Sequence, residues 1–83
     1  MKIYWYNGSK NLIGPKVKQA RLSKKPSLSQ KALAEKLQLM GFDFDRLTIL
    51  RIENGQRFVA DYEVYALSKA LEKNLEYFFK EEL

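Results

Sequence analysis

The chemistry open to this sequence is that of guanidinium, ammonium and amide groups. Neither Cys nor His occurs among its 83 residues. That removes disulfides, thiol catalysis, thiolate or imidazole metal ligation and imidazole general bases together. Lys and Arg number 15 against 10 acids, for a formal net charge of +5, and their placement is uneven. Residues 1–36 hold nine basic side chains against one acid, Glu35. Residues 37–60 set Arg46, Arg51 and Arg57 against Asp43, Asp45 and Glu53, and residues 61–83 hold three Lys and six acids. A basic front with an acidic back suits a module that meets a polyanion, and it also suits an ordinary solvated surface. No nucleophile–base pair, phosphate loop or metal cluster is legible, so neither an enzyme nor a cofactor is expected.

The elements that must position these groups are constrained by size. A chain of 83 residues, 46% apolar and 30% charged, is one soluble-type domain with a thin core, burying about 60% of its unfolded surface. No apolar run approaches the roughly 20 residues of a membrane span. The start, Met1 to Gly8, lacks the long apolar stretch of a signal peptide. A cytoplasmic protein with no membrane partner is the expectation.

Periodicity predicts helices throughout. Ile13, Val17 and Ala20, with Leu12 beside them, mark a first helix over Asn11 to Lys24. Pro15 is tolerated only in its first turn, and Pro26 stops it. Ser29 is a good N-cap for a second helix whose stripe is Leu33, Ala34 and Leu37. Asp45 caps a third helix, Arg46 to Asn54, with Ile49 and Ile52 inward and Gly55 as a left-handed stop. Asp61 reads as the cap of a fourth, Tyr62 to Leu71, burying Val64, Leu67, Ala70 and Leu71. Asn74 caps a short last helix with Leu75, Phe78 and Phe79. The expected architecture is all-α, five short helices over residues 11–83, preceded by an arm at residues 1–10 that carries Tyr4, Trp5 and Tyr6.

Two helices joined by a turn, the second bearing exposed polar residues, fit a helix-turn-helix. The segments Leu28-Ser29-Gln30-Lys31-Ala32-Leu33-Ala34-Glu35-Lys36-Leu37 and Leu47-Thr48-Ile49-Leu50-Arg51-Ile52-Glu53-Asn54-Gly55 resemble the phage repressor and Cro-type (Xre) helix-turn-helix family. Leu67 to Leu71 and Leu75 to Phe79 resemble its fourth and fifth helices, so the likeness runs from about Ile13 to Phe79. It implies a lambda-repressor-like domain that binds double-stranded DNA as a transcriptional regulator. The sequence departs from that pattern in two places. The loop Lys24 to Leu28 is about two residues longer, and the stretch Leu37 to Glu53 about five, more than one helical turn. The simplest solution lengthens the second helix through Leu39 or Met40, lets Gly41 reverse the chain, and fills the gap with Phe42 and Phe44.

The resemblance implies roles residue by residue. The third helix enters the major groove by its N-terminal turns, with Asp45, Arg46, Leu47 and Arg51 where the family contacts bases and Thr48 and Leu50 nearby. Arg46 and Arg51 are suited to guanine, whose O6 and N7 accept a guanidinium bidentately, although either could instead be solvated or face a phosphate. Leu47 offers apolar contact with a thymine methyl, Asp45 serves as cap or as acceptor, and Leu50 as packing. Ser29, Gln30 and Lys31 open the second helix, where a Gln amide, free N–H groups and the positive dipole end meet a phosphate. Asn54, Gln56 and Arg57 meet the next phosphates, and Lys24 and Lys25 add long-range attraction. Arg21 and Glu53 match an ion pair tying the third helix to the first.

One reading helix covers a half-site, so a homodimer on DNA is expected. Trp5, Phe79 and Leu83 are the candidates for the dimer contact. The competing reading is a protein-interaction module or antitoxin, in which the aromatic arm with Leu47 and Leu50 meets a protein partner.

Overall fold

The computed structural model describes residues 8–80. The candidate dimer residues Trp5 and Leu83, and the aromatic arm to which Trp5 belongs, lie outside the described residues. Five helices follow in order: α1 (Gly14–Ser23), α2 (Gln30–Leu39), α3 (Arg46–Glu53), α4 (Asp61–Leu71) and α5 (Leu75–Phe79). No strand occurs among the described residues, and the chain is an all-α domain. No helix among them is long and apolar enough to cross a membrane.

Four of the five helices begin where a side chain relieves an unpaired N–H group. The Ser29 hydroxyl accepts from Ala32 N at 3.0 Å, the Asp45 carboxylate from Thr48 N at 2.8 Å and the Asn74 amide oxygen from Tyr77 N at 3.0 Å. Asn11 does this for α1 from outside the helix, its Oδ1 accepting from Gly14 N at 2.8 Å, with Pro15 in the first turn. The start of α4 differs from expectation. Asp61 is its first residue rather than its cap; Ala60 holds the cap position, and its N–H donates to Glu63 Oε1 at 2.9 Å. The third helical position suits a carboxylate because it reaches back to the cap N–H.

The core gathers one stripe from every helix. Val17 and Ala20 of α1, Leu33 and Leu37 of α2, Ile49 and Ile52 of α3, Leu67 and Leu71 of α4, and Phe78 of α5 are all buried. Ile13 and Phe44 plug the cluster from the connections. In the last helix Leu75 is 46% exposed, and Tyr77 packs against the core.

The α2–α3 connection spans residues 40–45. α2 runs to Leu39, Met40 closes it, and Gly41 turns the chain at φ +95°. Phe42 N then returns to Leu37 O at 3.0 Å, Phe44 drops into the core and Asp45 starts α3. Gly55, at φ +72°, stops α3, and its Cα faces Ser9 so closely that no Cβ fits.

Candidate nucleic-acid interface

α3 buries Ile49 and Ile52, so its opposite side faces outward. Arg46, Leu47 and Arg51 are exposed, Leu47 at 42%, while Thr48 and Leu50 are half-buried. Among the described residues Arg46 has no hydrogen-bond or ion-pair partner. Arg51 makes no hydrogen bond either, but its charge acts on Asp45. Two guanidinium groups and one isobutyl group thus stand together on the outer side of a rigid, capped helix.

Asp45 and Thr48 are engaged with each other. Asp45 Oδ1 accepts from Thr48 N at 2.8 Å and from Thr48 Oγ1 at 2.9 Å. Those two bonds, the backbone one foremost, hold the Asp45 carboxyl below the ordinary aspartate range. The structure therefore gives Asp45 a capping role, and Thr48 presents its hydroxyl oxygen rather than its proton to any ligand.

The start of α2 lies beside this surface. Ser29 caps it, leaving the Gln30 and Lys31 N–H groups outside the helical ladder. Lys31 is exposed and has no partner among the described residues. With Ala34, Glu35, Gln38, Asp45 and Arg46 it lines an open groove between α2 and α3. Gln30 departs from expectation. Its Nε2 donates inward to Glu53 Oε1 at 3.1 Å, so one amide hydrogen joins two helices and only the other is left for a phosphate.

That same carboxylate joins α3 to α1. Arg21 Nε donates to Glu53 Oε2 at 2.8 Å and Nη2 to Oε1 at 3.0 Å, while Nη1 reaches Leu28 O at 3.0 Å. The Arg21 side chain is 9% exposed and that of Glu53 only 2%. Such a pair gains little net stability, because desolvating two charges offsets their attraction, but it specifies one arrangement.

Past the end of α3, Asn54 and Gln56 are exposed and their side chains make no hydrogen bond among the described residues. Arg57 does not join them. Its Nη1 and Nη2 donate to the two carboxylate oxygens of Glu63, each at 3.0 Å, and Nη1 also reaches Phe58 O at 3.1 Å. The hydrogen bonds from Arg57 push the Glu63 carboxyl below its ordinary range, and Glu63 in turn raises Arg57. The Arg57 fork is thus engaged by a carboxylate of the fold, with a third of its side chain still exposed. Lys24 is likewise paired, with Glu72 at 2.7 Å, leaving Lys25 as the exposed charge of that loop.

Several residues that shape the surface are missed by reading the sequence. Asn11 Nδ2 donates to Ile52 O at 3.0 Å and Arg57 O at 2.9 Å, tying the entry of α1 to the exit of α3. Gly14 packs so closely on the carbonyls of Ile52 and Glu53 that a Cβ has no room. Gln38 Nε2 holds Phe44 O at 2.6 Å. Only Glu63 carries a local signal, an acid three places after a helix cap.

Phe79 is 49% exposed and borders one depression shared with α1, one shared with α4 and one lined by α5 and its flanks alone. No cluster of carboxylates able to hold a metal occurs among the described residues. Comparison with family models, with curated proteins and with solved structures found no match.

Proposed function

We propose that this chain is a sequence-specific double-stranded DNA-binding regulator, repressor-like, of the phage repressor and Cro-type helix-turn-helix kind. α3 enters the major groove by its first turns, with Arg46 and Arg51 on base edges and Leu47 against a thymine methyl. The α2 N-terminus, with Lys31 and the remaining Gln30 hydrogen, meets one phosphate run, and Asn54 and Gln56 meet the next. The observation that carries this reading is the outward side of α3: Arg46, Leu47 and Arg51 are exposed, and no other part of the described chain covers them. A homodimer supplies the second half-site, with Phe79 as the described candidate for the contact.

Selection of bound sequences from random duplex DNA tests this reading. Arg46→Ala and Arg51→Ala are each expected to relax preference at particular base positions, by about 1–3 kcal/mol of discrimination. A uniform loss across all sequences would demote both to backbone contacts.

A second reading is favoured by one observation, the exposure of Leu47 on the same face together with Phe79 on the other. In it the domain binds a protein, as an antitoxin does. Salt separates the two: duplex binding collapses between low and moderate salt, whereas an apolar protein interface does not.

A further inference from the structure

Two rings hold the α2–α3 turn: Phe42, stacked on Tyr62 of α4 at 6.4 Å between centroids, and Phe44 next to the start of α3. Phe44 is buried and directly precedes Asp45, the cap of α3. Its carbonyl is held by Gln38 of α2 at 2.6 Å, and its ring meets Phe42 edge-on at 6.3 Å between centroids. Over the ring lies the Arg57 guanidinium, 5.2 Å from the centroid. That guanidinium has little freedom, because Glu63 takes both of its terminal nitrogens at 3.0 Å. Glu63 is itself fixed, its Oε1 accepting from Ala60 N at the start of α4. A continuous path of contacts therefore runs from α4 through Glu63, Arg57 and Phe44 to the first residue before α3.

We propose that Arg57 is a positioning residue for α3, clamping Phe44 so that the helix leaves its turn in one direction, and that it is not a phosphate ligand. The role in recognition rests on the DNA-binding reading above. The physical need is plain. A base contact tolerates only about half an ångström of error in placing its side chain, and a turn of six residues sets no direction unless something fixes it. Gln38 fixes the backbone of Phe44 from α2, and Arg57, in the α3–α4 connection and held by Glu63 of α4, meets its ring. Glu53, with Arg21 and Gln30, anchors the other end of the same helix.

Charge and position are separated by three variants of the full chain: Arg57→Ala, Arg57→Lys and Glu63→Gln. Each is compared with the wild type on a selected duplex and on a random-sequence duplex across a salt series, below its own melting transition. The positioning role predicts that all three lose preference for the selected duplex by about tenfold. It also predicts an unchanged salt slope on random duplex. Glu63→Gln is decisive, since it leaves the Arg57 charge in place but replaces the bidentate carboxylate by an amide with a single acceptor oxygen. A phosphate ligand would instead show a slope smaller by about 0.9 in Arg57→Ala, full rescue by Arg57→Lys, and equal or tighter binding in Glu63→Gln. That pattern would overturn the proposal. Amide hydrogen exchange of the first turn of α3, measured without DNA, gives an independent reading. Faster exchange at Thr48 and Ile49 in Glu63→Gln and Arg57→Lys supports the clamp, and exchange equal to wild type sinks it. A wild-type chain that binds no duplex at any salt would sink the DNA reading alone, with the exchange result still deciding whether Arg57 holds α3.

Discussion

At the scale of single residues, the polar groups of this chain divide into those that face outward and those that hold the fold. Arg46, Arg51 and Lys31 belong to the first kind, Arg21 and Arg57 to the second, though all five are the same sort of cation by sequence. The difference is whether a carboxylate lies within reach on another element. For Arg21 the partner is Glu53, and removing either charge strands the other away from water. Glu53→Ala is expected to cost about 3–5 kcal/mol of stability. In a double-mutant cycle with Arg21→Ala the two effects should be far from additive, and additivity in urea unfolding would contradict the bridge. For Glu63 the consequence is a pH dependence. Its folded value is lowered by the Arg57 hydrogen bonds. Its contribution is therefore complete above the ordinary glutamate value, about pH 4–5, and is lost as pH falls through the lowered folded value. The stability gap between wild type and Glu63→Gln should accordingly narrow as urea midpoints are followed from pH 6 to pH 3. A gap constant across that range would mean that Glu63 is not depressed.

At the scale of elements, the helices were largely legible because each carries its own start signal and its own apolar stripe. Ser29, Asp45 and Asn74 cap the helices that their types announce. The run of α2 to Leu39, the turn at Gly41 and the burial of Phe44 were legible in the stretch between Leu37 and Asp45. One reading failed for a tertiary reason. Asp61 yields the cap position to Ala60, because Glu63 can reach back to the Ala60 N–H while also holding Arg57. In α5, where the sequence left Leu75 and Phe78 open to core or surface, Phe78 turns inward and Leu75 stays half-exposed. The contact of α1 with α3 yields an expectation opposite to helix propensity. Ala normally outdoes Gly in a helix, yet a Cβ at Gly14 would collide with the carbonyls of Ile52 and Glu53. Gly14→Ala should therefore lower stability, by about 1–3 kcal/mol, measured as a fall in urea midpoint at constant slope. A more stable variant would show that α1 can withdraw from α3 without penalty.

At the scale of the whole molecule, charge is distributed unevenly along the chain. Basic residues dominate the sequence through α2, and acids cluster in α4, α5 and the tail. On the dimer reading proposed above, the half-exposed Phe79 of α5 is the described candidate for the contact. Analytical ultracentrifugation of the chain with a selected duplex should give two protomers per operator, and Phe79→Asp should reduce this to one while leaving the monomer folded. A wild-type chain that stays monomeric with and without DNA would reject the dimer.

What the sequence determined by itself was local and periodic. The five helices, most of their caps, the buried stripes and the outward side of α3 all follow from interactions within a few residues or from the 3.6-residue period. What only the tertiary structure decided was which polar groups are occupied. Gln30 and Glu53 are 23 positions apart, Arg21 and Glu53 32, and Asn11 and Arg57 46. No local propensity encodes such pairs, because they depend on how closely and in what register whole helices pack. The same packing that consumed Arg57 and half of Gln30 left Arg46, Leu47 and Arg51 outside.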